Sequence, residues 1–147
     1  FKRSKKALKK INKEFSTNKK FRINTNLKDT NPFEKSKILI TDDGGVGMEY
    51  SYLYRKPAIY INYVKKVHNQ FYQDLNIEAI EDKFKRECGY QIDIMNIKFL
   101  KEKILEANKT FNEKIKKVDL FYKKYGMGHL DGSKKATDII LKILNKN

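Results

Sequence analysis

Two aliphatic runs separated by a helical stretch are the clearest feature of the hydrophobic pattern. ILIT at residues 38 to 41 is short, β-branched and bounded by polar residues, which predicts a fully buried strand. Apolar and aromatic side chains then recur at helical spacing from residue 46 to residue 54, and Pro57 ends that helix. AIYIN at residues 58 to 62 predicts a second strand. The segment therefore predicts a βαβ unit, whose two strands run parallel.

The rest of the chain alternates between helical and strand-like segments. Residues 4 to 15 place apolar side chains at helical spacing among lysines, which predicts an amphipathic basic helix. FRINTN at 21 to 26 and YQIDI at 90 to 94 predict two more strands. Further helices are predicted at residues 77 to 88, 97 to 124 and 133 to 144. The pattern predicts one α/β domain over residues 1 to 147, with a Rossmann-like parallel sheet of about four or five strands and helices on both faces.

The net charge of +15 suggests binding to a polyanion, because clustered cations release counterions from a phosphate backbone. The cations, however, are 29 lysines against only four arginines. Specific recognition of bases and bidentate contact with phosphates favour the arginine guanidinium. We therefore expect no specific nucleic-acid partner, and a basic nucleic-acid-binding module stays an alternative.

Cys88 is the only cysteine, which excludes an internal disulfide framework and a cysteine-based zinc site. No apolar segment reaches the roughly 20 residues that cross a bilayer. We expect a cytoplasmic protein, with the basic helix at residues 4 to 15 available for peripheral docking on the anionic inner face of the cell membrane. Because the chain begins with Phe1 rather than Met, we also expect it to be a fragment of a longer chain.

The candidate binding residues lie in the turn between the first predicted strand of the βαβ unit and its helix. In open parallel sheets, ligands bind beyond the carboxyl ends of the strands, where the next helix offers free N–H groups. Gly44 and Gly45 lie at that point, have no β-carbons and can adopt φ values that other residues avoid. A phosphate could therefore approach the backbone from Gly44 to Val46, and Glu49 could reach a ribose hydroxyl.

Two other interpretations of this turn stay open. Glycines at strand–helix junctions often serve packing alone, and DDGGVG is neither GxGxxG nor a P-loop. Asp42 and Asp43 could hold a divalent cation, but such residues more often cap the following helix. We predict no dedicated metal site.

A resemblance to a known family rests on the same residues. ILITDDGGVGMEYSYLYRKPAIYIN resembles a stretch of the carboxyl-terminal domain in the CDP-glycerol glycerophosphotransferase family, the teichoic-acid-type polymerases of GT-B architecture. HLDGSKKATDIILKIL, from His129, loosely resembles the closing segment of that domain. The chain departs from the family where two glycines replace a serine pair and where an Arg-Pro-His-Pro motif is missing.

The resemblance implies a donor-nucleotide-binding domain, most of the carboxyl-terminal half of a GT-B enzyme. Such an enzyme would transfer glycerol phosphate or a related group from a CDP-activated donor to a cell-surface polymer. The donor is a substrate, so no cofactor is expected. A second, amino-terminal domain would bring the acceptor polymer. A sugar-nucleotide-dependent GT-B glycosyltransferase for capsule or surface polysaccharide is the alternative. The implied nucleotide-binding residues are Thr41, Asp42, Gly44, Gly45, Val46, Glu49, Gly132 and Ser133.

No catalytic residue is assigned. General-base catalysis needs a side chain within hydrogen-bond reach of the acceptor hydroxyl, and the histidines are His68 and His129. Neither has a visible carboxylate partner in the sequence, which favours a solvated loop residue for His68 and a turn residue beside a helix start for His129. The tyrosines between residues 50 and 63 favour packing in the core or at a domain interface over stacking on a cytosine ring. Cys88 fits a small buried hydrophobe.

Overall fold

The structure, a computed structural model, describes residues 2 to 26, 28 to 42, 44 to 63, 71, 74, 76 to 125 and 132 to 145, with side chains from residue 5 onward. Contacts divide the chain into two compact units, Phe1–Pro32 and Phe33–Asn147. A single nucleotide-binding domain over residues 1 to 147 stays a prediction.

The first unit contains helix α1, Lys2–Phe15, and an irregular segment after it. The ring of Phe15 lies 5.1 Å from that of Phe21. The predicted strand at residues 21 to 26 is wrong, because this segment has no regular structure. The Asn24 carboxamide oxygen accepts the amide of Asn26 (2.9 Å), and the Asn26 carboxamide oxygen accepts that of Lys28 (3.1 Å). Asparagine side chains thus take up backbone donors that a strand would use.

The second unit has alternating helices and strands. Strand β1 is Leu39–Thr41, helix α3 is Val46–Leu53 and strand β2 is Ala58–Asn62. These elements confirm the predicted strand–helix–strand order. The remaining elements are helix α2, Asn31–Lys35, at the junction of the units, helix α4, Ile80–Glu87, strand β3, Tyr90–Asp93, a 3-10 helix, Ile94–Phe99, and helices α5, Leu100–Tyr125, and α6, Gly132–Leu144.

The sheet is parallel, in the order β1-β2-β3. Leu39 is paired with Ala58 and Thr41 with Tyr60, whereas Ile59 is paired with Tyr90. The parallel βαβ unit and the α/β class are confirmed. The described residues form three strands rather than the expected four or five, since the segment at residues 21 to 26 does not join the sheet.

The central strand β2 forms the middle of the hydrophobic core. Ala58, Ile59 and Tyr60 are all buried, as a strand covered on both faces requires. By contrast, β1 is an edge strand, and Ile40 is 41% exposed. The expectation that residues 38 to 41 form a fully buried strand is therefore wrong. Burial of an aliphatic strand depends on its neighbours, which its own residues do not specify.

Successive strand residues point to opposite faces, so Tyr60 and Tyr90 lie on different sides of the sheet. The Tyr60 ring lies against Gly47 of α3. The Tyr90 hydroxyl forms a 2.8 Å hydrogen bond with the Thr110 hydroxyl of α5, and the Lys114 ammonium lies 4.0 Å from the Tyr90 ring centroid. Side chains on both faces thus contact helices.

The long helix α5 also connects the other helices. The Tyr122 hydroxyl donates to the Met48 carbonyl oxygen of α3 (3.1 Å), and the Tyr122 ring stacks on Tyr52 with centroids 3.7 Å apart. Phe121 packs edge-to-face against Phe84 of α4, with centroids 5.1 Å apart. Aromatic contacts of this kind stabilise beyond the area that they bury. The contacts of Tyr122 hold α3 against α5, and the first turn of α3 belongs to the candidate site.

Candidate functional site

The turn between β1 and α3 has the predicted position. Helix α3 begins at Val46 with Gly45 as its N-cap, and the Glu49 amide donates to the Gly45 carbonyl oxygen at 3.0 Å. A glycine N-cap has no side-chain oxygen to accept hydrogen bonds from the first-turn amides. The helix start is separated by four residues from the carboxyl end of β1, an outer strand of the parallel sheet. It therefore has the backbone donors and the dipole orientation that suit an anion.

Space above this turn is open. A β-carbon added to Gly44 or to Gly45 would meet no heavy atom within 4 Å. Neither glycine has a φ in the left-handed region, and Gly45 has φ −65° and ψ −22°. These glycines therefore do not use the left-handed φ values that other residues avoid. What they contribute is an unobstructed approach to the backbone.

The other predicted residues of this segment surround the turn. Thr41 is the last residue of β1 and partly buried, and Asp42 is exposed. Val46 and Glu49 are exposed in the first turn of α3. Burial and, second, the Glu49 carboxylate raise the pKa of Tyr122 to about 12, so Glu49 lies near that hydroxyl. Six of the eight predicted residues thus belong to one strand–turn–helix segment.

The remaining two, Gly132 and Ser133, open helix α6. The predicted final helix is confirmed, and its described residues are exposed throughout. The hydrogen bond described at Ser133 runs from the Thr137 hydroxyl to the Ser133 carbonyl oxygen (3.0 Å), within the same helix. A contribution of Gly132 and Ser133 to the anion site at α3 stays a prediction.

Three polar residues that sequence reasoning missed lie at the same edge of the sheet. The Asn62 carboxamide nitrogen lies 3.3 Å from the Gln91 carboxamide oxygen and 3.4 Å from Asp93 Oδ1. Asn62 Oδ1 is buried and has no hydrogen-bond partner among the described residues. Because the strands are parallel, the carboxyl ends of β2 and β3 meet Thr41 at one edge. The signal in the sequence was the polar residue that ends each apolar strand.

Close packing around Tyr60 explains two other glycines. A β-carbon on Gly47 would lie 2.5 Å from Tyr60 Oη, and one on Gly89 would lie 2.7 Å from Tyr60 Cε2. Burial raises the pKa of Tyr60, whose hydroxyl has no partner among the described residues. Gly47 and Gly89 therefore serve the core, and the sequence did not distinguish them from Gly44 and Gly45.

The predicted packing role in the core is confirmed for Tyr50, Tyr60 and Cys88. Tyr50 and Tyr60 are buried, and the Tyr50 hydroxyl forms a 2.9 Å hydrogen bond with the Ser36 hydroxyl. Tyr63 is exposed. Burial raises the pKa of the Cys88 thiol to about 11, so this thiol is protonated at neutral pH.

Three candidate residues lie outside the described part of the chain, namely Asp43, His68 and His129. Among the residues that are described, no group of three or more His, Cys, Asp and Glu side chains could hold a metal ion. The described helices include none that is long and apolar enough to cross a membrane.

A cleft of about 390 Å³ lies elsewhere, between α4 and α5. Glu87, in its lining, comes three residues before β3, so this cleft is near the amino end of that strand, away from the β1–α3 turn. Glu78 forms an ion pair with Arg86, which holds the pKa of the Glu78 carboxyl below its usual range. The cleft is lined by Arg86, Glu87, Lys117, Leu120, Phe121 and Lys124.

Comparison with protein-family models, with curated proteins and with solved structures finds no match for this chain.

Proposed function

We propose that this chain is the donor-binding domain of a CDP-glycerol glycerophosphotransferase-like enzyme. The observation that carries the proposal is the open two-glycine turn between the parallel strand β1 and helix α3. Ligands of open parallel sheets bind at this edge, and an unobstructed backbone at a helix start suits a diphosphate. The resemblance of residues 38 to 62 to the polymerase family supports CDP-glycerol as the donor.

Each group at this edge has a role in the proposal. The amides from Gly44 to Val46 hold the diphosphate, and Glu49, one turn further along α3, accepts a hydrogen bond from a ribose hydroxyl. Asn62 and Asp93 end the neighbouring strands and supply polar groups for the rest of the nucleotide. These contacts favour a donor that is held by its phosphates and ribose.

The proposed reaction transfers glycerol phosphate to a polymer. An acceptor hydroxyl attacks the β-phosphorus of CDP-glycerol, a new phosphate ester forms, the bond to the bridging oxygen breaks and CMP leaves. Backbone donors fixed at α3 stabilise the charge on the phosphate oxygens. The acceptor and the general base come from a second domain, so residues 1 to 147 alone are expected to transfer nothing.

Gly45→Val tests the proposal, because a β-carbon at Gly45 meets no heavy atom within 4 Å in the fold, whereas the valine side chain would occupy the proposed space of the phosphate. Loss of one or two charge-assisted hydrogen bonds, at about 1.5 to 3 kcal/mol each, would weaken CDP binding roughly tenfold or more. Isothermal titration calorimetry with CDP, at two salt concentrations, measures this loss.

Lys5→Glu/Lys6→Glu is the control for non-specific attraction of an anion by the basic surface, and it should keep CDP affinity. Thermal unfolding shows whether Gly45→Val folds like the wild type. If the folded glycine variant binds CDP as tightly as the wild type, the turn is not a phosphate site and the proposal fails.

A second candidate function is non-specific nucleic-acid binding, which the cationic cleft between α4 and α5 favours. Arg86, Lys117 and Lys124 line it beside the apolar Leu120 and Phe121. Titration with DNA in place of CDP, at the same two salt concentrations, would then show binding to any DNA sequence. That affinity would fall steeply with salt, and Gly45→Val would leave it unchanged.

A further inference from the structure

Helix α1 carries apolar and cationic side chains on opposite sides. Leu8, Ile11 and Phe15 recur at intervals of three and four residues, which places them along one face. They are 47%, 41% and 39% exposed, respectively. The Phe21 ring lies beside Phe15 and extends the apolar surface past the end of the helix. An exposed apolar face of this kind indicates an interaction surface.

The charge of the helix decides what this face fits. The sequence of α1 has seven cations and one acid, and the five lysines from Lys5 to Lys13 are exposed. A nucleic acid would pair with the lysines but would leave the apolar face in water. A second copy of α1 would cover the apolar face but would bring two strongly positive helices together.

A bilayer with anionic headgroups accommodates both faces of the helix. Apolar side chains enter the boundary between headgroups and acyl chains, while lysine stems lie along the surface and their ammonium groups reach the headgroup phosphates. We propose that α1 is a docking surface for an anionic lipid bilayer, with the helix axis parallel to the membrane plane. Each lysine near such a surface contributes about fivefold in affinity.

The test is co-sedimentation of the full chain with vesicles. One vesicle contains one part phosphatidylglycerol to two parts phosphatidylcholine, and the other contains phosphatidylcholine alone. The wild type should bind the anionic vesicles and not the neutral ones. Leu8→Gln/Ile11→Gln, which keeps the charge of α1, should lose most of this binding. Lys9→Gln/Lys10→Gln, which keeps the apolar face, should weaken it by about tenfold or more.

Helix α6 offers a matched control. Ile140 and Ile143 are also exposed on an amphipathic helix, at 56% and 61%. Helix α6 has three lysines and one acid, against seven cations and one acid in α1, so it attracts an anionic surface less. Ile140→Gln/Ile143→Gln makes a similar change from apolar to polar and should leave vesicle binding intact. All substituted side chains are exposed, and circular dichroism of each variant checks its folding.

Three results would overturn the proposal. The first is binding of Leu8→Gln/Ile11→Gln to anionic vesicles as tightly as the wild type, which would indicate attraction by charge alone. The second is loss of binding in the α6 variant while the α1 variants keep it. The third is self-association in analytical ultracentrifugation without lipid that Leu8→Gln/Ile11→Gln abolishes, with no binding to vesicles, which would make a second copy the occupant.

Discussion

Two pairs of glycines lie near helix α3 and differ in what surrounds them. Gly44 and Gly45 face open space, whereas Gly47 and Gly89 lie against the ring of Tyr60. Only two residues, Gly45 and Val46, lie between Gly44 and Gly47 in the sequence GGVG. A glycine can therefore leave room either for a ligand or for a core side chain, and the atoms that face its Cα decide which of the two it does.

Arg55 extends the comparison to the backbone. It follows α3 with φ 55°, a conformation that favours glycine, yet it carries a side chain that forms an ion pair with Asp119. Gly45, by contrast, has the right-handed φ of −65° that any residue can adopt. Glycine is thus present where the backbone does not need it and absent where the backbone would favour it.

The largest expected effect is at Gly47. Gly47→Ala would place a β-carbon within 2.7 Å of three atoms of the Tyr60 side chain. Because Gly89 lies against the other edge of that ring, the ring cannot move away without strain. We expect the free energy of unfolding to fall by about 1 to 3 kcal/mol, although alanine has the higher helix propensity. Urea unfolding measures the change.

Gly45→Ala is the matched control, and it should change the free energy of unfolding by no more than about 0.5 kcal/mol. Alanine is a poorer N-cap than glycine, which lowers stability, and it makes the unfolded chain less flexible, which raises stability. Both effects are small. If Gly47→Ala were as stable as Gly45→Ala, the distinction between open and packed glycines would be lost.

A smaller effect is expected at Arg55. Arg55→Ala and Arg55→Gly both remove the ion pair with Asp119, but only glycine relieves the positive φ. Arg55→Gly should therefore be more stable than Arg55→Ala by about 1 kcal/mol. Chemical denaturation of the two variants side by side gives this difference directly. Equal stabilities would mean that the backbone relaxes out of the left-handed region when the ion pair is gone.

The smallest effect concerns the ion pair itself. The hydrogen bond from Arg55 holds the pKa of Asp119 below its usual value. The ion pair therefore stabilises the fold above the unfolded-state pKa of Asp119, which is about 3.9. This stabilisation is lost as pH falls through the lower folded-state pKa of Asp119. Both side chains are about half exposed, so the wild type should exceed Asp119→Asn in stability by less than about 1 kcal/mol at pH 7.

Unfolding measurements from pH 7 down to pH 3 should show the gap between the wild type and Asp119→Asn becoming narrower below about pH 4. High salt at pH 7 should also reduce the gap, since the pair is exposed. A gap that is independent of pH would assign the effect to something other than the Asp119 charge.

Local patterns in the sequence predicted most elements well. Strand β2 begins at Ala58 as expected, α3 begins at Val46, and α6 lies within one residue of its predicted start. These segments combine a clear hydrophobic period with glycine or proline at their ends. FRINTN failed because its alternation is real but its asparagines bond to nearby amides.

The residues of the candidate site also fall into two groups, those that local sequence patterns predicted and those that only the fold brings together. The sequence alone determined the strand–turn–helix segment from Thr41 to Glu49, because adjacent residues and short-range spacing specify such a unit. Only the tertiary structure decided that Asn62, Gln91 and Asp93 approach one another, that β1 is an edge strand, and that Tyr60 lies between Gly47 and Gly89. These facts depend on pairing between residues distant in the chain, and one sequence read by itself carries no record of which distant residues meet.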